Sequence, residues 1–287
     1  MKKLKLSIIL FMTFMSFSIK SYADINVAFT IDNNYPSYTL LTINSILMNN
    51  KSKSAYTFWV IENDVTEENK AMMKEFVEDN HQKINFINIS LDDITKGKEL
   101  YKNSYASYVT NIGVARILLP KILPQDIDKI LYLDSDTLVI SDLKELYDTD
   151  ISDYGAAMAK DHISAFNISE NKPPYFNSGV ILINADYWRE NNISQKMITY
   201  IQDNEELQFP DQDAVNKVLR GKIFKLEQKW NNLVNDMGNT LTSINDGGIL
   251  HYFGITKPWH ITSDRKNAVK IYYEYWDKYK ETAKPKQ

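Results

Sequence analysis

Asp134 and Asp136 break into an otherwise apolar run, Ile130-Leu131-Tyr132-Leu133-Asp134-Ser135-Asp136-Thr137-Leu138-Val139-Ile140, which has the composition of a buried strand. On extended backbone alternate side chains share a face, so the two carboxylates would stand together with Ser135 turned away. Like charges that close repel, and taking them out of water costs on the order of several kcal/mol. A bound cation removes both penalties, and an oxygen-only pair suits a hard ion such as Mg²⁺ or Mn²⁺. The plainer alternative is a strand-end turn in which one Asp caps and the other is solvated. Downstream, His251 ends the apolar run Ile249-Leu250-His251. A histidine there is ordinarily a core residue; its alternative is the one imidazole that an oxygen-rich metal site accepts. Lys257 carries a flexible ammonium suited to phosphate. Pro210-Asp211-Gln212-Asp213 starts a helix, where the acids either serve the helix end or meet a polar substrate. Asn177 precedes a β-prone run in which Gly179 permits close backbone approach.

The elements that must position these groups are those of an α/β domain. Asp24 to Ile31 reads as a strand stopped by the turn formers Asp32-Asn33-Asn34-Tyr35-Pro36, and a helix follows over 37–48. A strand over 56–61 leads to a helix from about Thr66, with Glu67 and Glu68 at its positive end, and then a strand over 84–89. Strand and helix in alternation predict a parallel sheet with ligands at the carboxyl ends of the strands, where Asp32 and Asp134 both fall. Between them, 101–119 reads as a loop entering a helix that carries Arg116 and is closed by Pro120; a lone helix arginine is ordinarily a surface charge. A short helix begins at 141–143, a strand over 154–158 ends near Asp161, and 191–200 and 210–219 read as helices. The tail over 267–280 is a helix with Tyr272, Trp276 and Tyr279 along one side. That stripe is expected to pack on the domain, with a membrane-surface role as the alternative.

The 287 residues suffice for one large domain, and the net charge of −4 gives no reason to expect nucleic acid as a partner. The chain has no cysteine, which excludes disulfides, thiolate zinc sites and cysteine nucleophiles. It also lacks a glycine-rich phosphate loop, an H-E-x-x-H pair and a G-x-S-x-G elbow. Three lysines in Met1–Lys5, an apolar core over 6–19 and small residues at Ser21 and Ala23 have the layout of a secretory signal peptide cleaved after Ala23. The expectation is therefore an exported protein, periplasmic or secreted; an uncleaved anchor holding it at the cytoplasmic face of the inner membrane is the alternative.

Five segments then stand in a telling order: Phe29-Thr30-Ile31-Asp32-Asn33-Asn34-Tyr35, Leu133-Asp134-Ser135-Asp136-Thr137, Tyr175-Phe176-Asn177-Ser178-Gly179, Pro210-Asp211-Gln212-Asp213, and His251-Tyr252-Phe253-Gly254-Ile255-Thr256-Lys257-Pro258-Trp259. Together they resemble the retaining, metal-dependent glycosyltransferases of family 8, which include bacterial lipopolysaccharide galactosyl- and glucosyltransferases and the glycogenins. The resemblance runs from Ile25 to about His260 and looks closer to the lipopolysaccharide enzymes. It implies a GT-A fold, a Rossmann-like single α/β domain with a mostly parallel central sheet, over 24–265, with the helix and tail 266–287 beyond it. By match to the motifs, Thr30, Asp32, Asn34 and Tyr35 would hold the uridine of a UDP-sugar. Asp134, Asp136 and His251 would ligate Mn²⁺ (or Mg²⁺), and Gly254 and Lys257 would contact the diphosphate. Arg116, Asp161 and Asn177 would hold the donor sugar, and Gln212, flanked by Asp211 and Asp213, would lie at the reacting carbon. The implied acceptor is a glycan, lipopolysaccharide-type favoured, with a protein acceptor as the alternative for an exported effector.

The chemistry agrees with that resemblance. Breaking a bond from a sugar to a diphosphate builds negative charge on the leaving oxygen, which a cation and a lysine stabilise. Gln212 is an amide and not an ordinary nucleophile. A glycoside hydrolase also uses two carboxylates, but about 5 Å or more apart across the sugar rather than two positions apart on one strand. A nucleotide-sugar-binding relative without turnover is the other alternative.

Overall fold

The strand that organises the sheet is β1 (Ile25–Asp32), whose Val27, Ala28 and Phe29 are wholly buried. Consecutive buried residues rather than strict alternation mark a strand covered on both faces. The computed structural model describes residues 24–102, 110–162, 174–235, 237–261 and 267–282, so the expected signal peptide, 1–23, lies outside the described residues. On one side β1 pairs in parallel with β2 (Tyr56–Asn63), and β2 with β3 (Lys83–Asn88). On the other side it pairs in parallel with β4 (Lys129–Leu133). The helices α1 (Pro36–Met48) and α2 (Glu67–Asp79) make the crossovers, α2 opening on a Thr66 hydroxyl that accepts from the Asn69 N–H. Beyond β4 the sheet turns mixed. β7 (Val180–Asn184) runs antiparallel between β4 and β6 (Ala156–Met158), and β8 (Ile223–Lys225) is parallel to β6. The order is β3-β2-β1-β4-β7-β6-β8. The chain leaves β1 to one side for β2 and returns to its other side as β4. That places the switch point, and the crevice it creates, at the carboxyl ends of β1 and β4.

One expectation needs correction. The run 130–140 is not a single strand: β4 ends at Leu133, and β5 (Thr137–Val139) belongs to a second sheet, ordered β5-β10-β9, with β9 (Asn232–Leu233) and β10 (Ile249–His251). Asp134-Ser135-Asp136 is the turn between the two sheets, closed by the Thr137 N–H and hydroxyl on the Asp134 carbonyl at 3.2 and 2.8 Å. The two acids are brought together by a turn rather than by the pleat. The free edge of β5 is covered by side chains of α1. Thr42 donates to the Thr137 carbonyl at 2.7 Å, the Ser45 hydroxyl accepts from Val139 N–H at 2.9 Å, and Asn49 donates to the Val139 carbonyl at 3.0 Å. A helix thus supplies the partners that a neighbouring strand would otherwise give.

The segment around Arg116 also differs from expectation. From Asn111 to Leu118 it is a 3₁₀ helix, preceded in the chain by the short helix α3 (Asp92–Thr95) and followed directly by α4 (Leu119–Ile122). Pro120 sits in the first turn of α4, where its missing N–H costs nothing, and does not end the helix. The later helices are α5 (Lys144–Tyr147), α6 (Ala185–Glu190), α7 (Ile193–Asp203), α8 (Pro210–Val218) and α9 (Asn267–Thr282). Two apolar clusters fill the spaces on either side of the large sheet. Tyr272 and Tyr279 of α9 are buried against the domain, Tyr279 edge-on to Phe76 of α2, so the aromatic stripe is turned inward. Among the described residues no helix is long and apolar enough to cross a membrane.

Candidate active site

Asp134, Asp136 and His251 come together at the switch point, each offering a ligand atom within 4.8 Å of the others. His251 Nε2 lies 3.3 Å from Asp136 Oδ1 and 3.7 Å from Asp134 Oδ2. It is placed there by β10, which pairs antiparallel with β5 so that His251 stands opposite Thr137. The remaining oxygens of the two acids are already engaged. Asp134 Oδ1 accepts from the Tyr132 hydroxyl at 2.6 Å and from Arg116 Nη2 at 3.0 Å. Asp136 Oδ2 accepts from the Lys257 ammonium, while its buried Oδ1 has no hydrogen-bond partner. Burial pushes the Asp136 carboxyl up, but Lys257 and His251 outweigh it and hold the group well below the usual carboxylate range. An orphaned buried oxygen, a second carboxylate oxygen and an imidazole nitrogen converging on one point are the donor set of a small divalent cation.

Gly179 makes this convergence possible. A Cβ there would lie 2.2 Å from His251 Cε1 and 2.8 Å from Asp134 Oδ2. Its carbonyl accepts from the Asp134 N–H at 2.8 Å, fixing the backbone of the turn. The close approach expected of this glycine is therefore to the histidine and the acid. Behind the ring, His251 Nδ1 is 2.9 Å from Asn231 Oδ1.

Arg116 is buried, not a surface charge. It bridges Asp134 to Asp211, with Nε 3.0 Å from Asp211 Oδ2, while Nη1 donates to the Ser178 carbonyl at 2.8 Å. The guanidinium also lies 4.5 Å over the Tyr132 ring. Asp211 takes further donors from the Tyr101 hydroxyl at 2.7 Å and the Ser178 hydroxyl at 2.9 Å. Gln212 is held at both ends: Oε1 accepts from Ser178 N–H at 2.9 Å and Nε2 donates to Asp161 Oδ2 at 3.0 Å. Asp213 serves a different purpose. It accepts from the Tyr175 hydroxyl at 2.6 Å and from Phe209 N–H at 3.0 Å, tying the start of α8 to the strand entry. Burial raises its carboxyl above the ordinary value despite those two donors.

Residues expected on the nucleoside side line the mouth of the site. Thr30, Asp32, Tyr35, Arg116, Lys257 and the two turn acids border a cleft of ≈ 90 Å³, less than the roughly 300–1,000 Å³ of most small-molecule sites. Thr110 spans it, its hydroxyl donating to Asp32 Oδ2 at 3.0 Å. Asn34 is exposed and donates its N–H to Asp32 Oδ1 at 2.8 Å. The Thr30 hydroxyl meets Tyr132 OH at 3.0 Å, one bond from Asp134. Gly254 has φ +89°, the left-handed turn that brings Lys257 back to Asp136. That loop is clamped where Trp259 stacks on Tyr38 at 3.9 Å and meets Tyr35 edge-on.

The sequence profile of glycosyl transferase family 8 matches residues 26–263. The chain belongs to this family. It is 29% identical over 248 residues to a putative glycosyltransferase of Haemophilus influenzae, covering 82% of this chain and 73% of that one. It is 26% identical over 253 residues to the lipopolysaccharide 1,2-glucosyltransferase of Escherichia coli, with 82% and 73% covered. Among solved structures, the galactosyltransferase LgtC with donor and acceptor sugar analogues superposes with a TM-score of 0.73 at 23% identity, covering 90% of this chain and 95% of that one. The mixed, mostly parallel sheet of this family member is thus the GT-A fold of such enzymes.

Several residues of the site were not evident from the sequence. Ser178, Tyr101 and Tyr132 read there as ordinary sheet or loop residues, and only the fold shows their hydroxyls serving Asp211 and Asp134. Asn231 and Asn232 carried a usable signal: two amides next to Trp230 and Leu233, all of them buried. Polar groups so placed must be hydrogen-bonded.

Proposed function

We propose that this family 8 glycosyltransferase is a retaining, divalent-metal-dependent hexosyltransferase. It would move glucose or galactose from a UDP-sugar to a glycan hydroxyl, with a lipopolysaccharide-type acceptor favoured. The observation that carries the reading is the convergence of Asp134 Oδ2, Asp136 Oδ1 and His251 Nε2 at the head of the cleft that Thr30, Asp32 and Tyr35 line. These three atoms would hold Mn²⁺ or Mg²⁺. A cation bound there supplies positive charge beside the departing diphosphate. Lys257, now on Asp136, would donate to the same oxygens, and Gly254 would let the backbone approach them. Asn34 and Asp32 would take the uracil and ribose side. Asn177 and Asp161 would meet sugar hydroxyls, with Arg116 orienting Asp134 and Asp211 around the ring.

Retention is what membership of family 8 implies, and the residues around Gln212 bear on the route to it. The Gln212 carbonyl oxygen is committed to Ser178 N–H, and no free nucleophile replaces it among the described residues of this cluster. In the step we favour, the C1–O bond to diphosphate breaks with its electron pair leaving on the phosphate oxygen. The acceptor oxygen bonds C1 from the same face, and its proton passes to the leaving phosphate. Residues 1–23 would direct export, so that the acceptor could be reached outside the cytoplasm; N-terminal sequencing of the exported chain tests that. The enzymatic reading is tested with a panel of UDP-sugars, with Mn²⁺ and with chelator, reading released UDP and the anomeric configuration of the product by NMR. Transfer that survives the chelator, or an inverted product, would overturn it.

A further inference from the structure

We propose that Asn231 is a positioning residue of the metal site, holding His251 in the one neutral form that turns an unprotonated Nε2 toward Asp134 and Asp136. This rests on the divalent-cation reading given above and adds a residue to it. Asn231 is wholly buried at the end of the 3₁₀ turn Gln228–Asn231, immediately before β9.

The orientation of its amide is fixed by a chain of hydrogen bonds with a single anchor. The Gly179 backbone N–H can only donate, and it points at the Asn177 side chain at 3.0 Å, so the atom it meets is the Asn177 oxygen. That same oxygen receives the Asn231 amide at 2.8 Å, so the Asn231 atom facing it is nitrogen. The other end of the Asn231 amide, 2.9 Å from His251 Nδ1, is then oxygen, and an oxygen there requires a hydrogen on Nδ1. With Nδ1 protonated, the lone pair of the neutral ring lies on Nε2, where a cation needs it.

The alternative form would be harmful. A hydrogen on Nε2 would point at Asp136 Oδ1, 3.3 Å away, and fill the place of the ion. Asn231 disfavours that form by setting its own oxygen against the bare Nδ1 lone pair. The Gly179 carbonyl meanwhile accepts from Asp134 N–H, so the anchor of the chain is also a fixed point of the acidic turn. Asn177 therefore contributes its oxygen to the metal side of the site, whatever its nitrogen does for the sugar.

The test uses the full chain with two substitutions, Asn231→Ala and Asn231→Asp, each checked for folding by thermal melting without metal. Mn²⁺ binding is titrated calorimetrically, and the histidine ring nitrogens of the metal-free protein are read by long-range ¹⁵N–¹H NMR. Only four histidines contribute signals. Wild type is expected to show His251 protonated on Nδ1. Asn231→Ala is expected to lose about 10–100-fold in Mn²⁺ affinity, the usual cost of removing such a partner, and to mix the two ring forms. Asn231→Asp, which still accepts from Nδ1 but loses the donor to Asn177 Oδ1, is expected to keep the ring form and to bind Mn²⁺ more tightly than Asn231→Ala. Unchanged affinity in Asn231→Ala, or a wild-type ring protonated on Nε2, would overturn the assignment while leaving the metal reading intact. A wild type that binds no divalent cation would overturn both. The wild-type ring measurement needs no variant to fold.

Discussion

Adding one methyl group at residue 179 should dismantle the candidate metal site while leaving the sheet in place. Gly179 does not need its glycine for a left-handed backbone; what it provides is space. An alanine Cβ would sit 2.2 Å from His251 Cε1, 2.7 Å from Nδ1 and 2.8 Å from Asp134 Oδ2. Carbon atoms settle at about 3.5–4.0 Å, so the ring must retreat by more than about 1 Å. His251 is 3% exposed and lies on a strand paired on both sides, so the retreat has no free volume to use. Overpacking of this kind costs about 1–3 kcal/mol of stability. Metal sites tolerate ligand shifts of only about 0.2 Å, so affinity for Mn²⁺ should fall by at least about 100-fold, beyond the loss of an outer partner. Transfer should fall by about 10²–10³, as when an electrostatic stabiliser is removed. Gly155→Ala is the control, because its Cβ would meet Leu219 at 2.7 Å and the Tyr187 ring at 3.0 Å, with none of the three ligand residues among its close neighbours. The assays are calorimetric Mn²⁺ titration, UDP release and urea unfolding. If Gly179→Ala loses stability as the control does but binds Mn²⁺ as wild type, the site is not where we place it.

Ser45→Ala should cost about 1–3 kcal/mol in urea unfolding by orphaning the buried Val139 N–H, with Mn²⁺ affinity unchanged. Thr110→Val removes the hydrogen bond that spans the cleft onto Asp32, and UDP should bind about 2–10-fold more tightly by calorimetry, the worth of one such bond. Asp213 gives a pH signature. Its folded carboxyl sits above the ordinary value because of burial, so the folded chain holds its proton longer than the unfolded chain. The stability it contributes is full below the unfolded value of about 3.9 and is lost as pH rises through the folded value. Asp213→Asn, which keeps one acceptor for Phe209 N–H or Tyr175 OH, should flatten that fall in urea unfolding measured from acid to neutral pH.

The parallel half of the sheet was legible because its signals are local. Turn formers after Ile31, the Thr66 cap with Glu67 and Glu68, and short β-prone runs place β1 to β3 and their helices within a residue or two. The acidic turn was legible as chemistry and misread as geometry. An apolar run on both sides of Asp-Ser-Asp looks the same whether the chain continues in one sheet or steps into another, because the second sheet is made by β9 and β10 about a hundred residues on. The polar stripe Thr39, Thr42 and Ser45 on α1, with Asn49 at its C-cap, was equally ambiguous. Those residues recur at helical spacing, which reads as weakened amphipathicity until β5 supplies the backbone groups that Thr42, Ser45 and Asn49 satisfy and the acidic turn supplies the Ser135 hydroxyl that Thr39 meets. Arg116 looked like a surface charge because its two acidic partners, Asp134 and Asp211, are remote in sequence and close only across the crevice.

The arrangement of charge explains how such a site can exist before any ligand arrives. Four carboxylates (Asp134, Asp136, Asp161 and Asp211) share the neighbourhood with two buried cations, Arg116 and Lys257. Isolated buried charge is costly, so each acid needs a partner. Arg116 serves Asp134 and Asp211 together, Lys257 serves Asp136, and the Gln212 amide serves Asp161. Each of the two turn acids is satisfied on one oxygen only, and the oxygens left over are the ones that face His251. Had either cation bridged both oxygens of its acid, the pair would be quenched and a divalent ion would have to displace it. Engaging one oxygen apiece keeps Asp134 and Asp136 oriented while leaving a ligand atom on each. The protein therefore meets the cost of burying the acids with fixed cations placed behind them and leaves the front of the pair to the ligand.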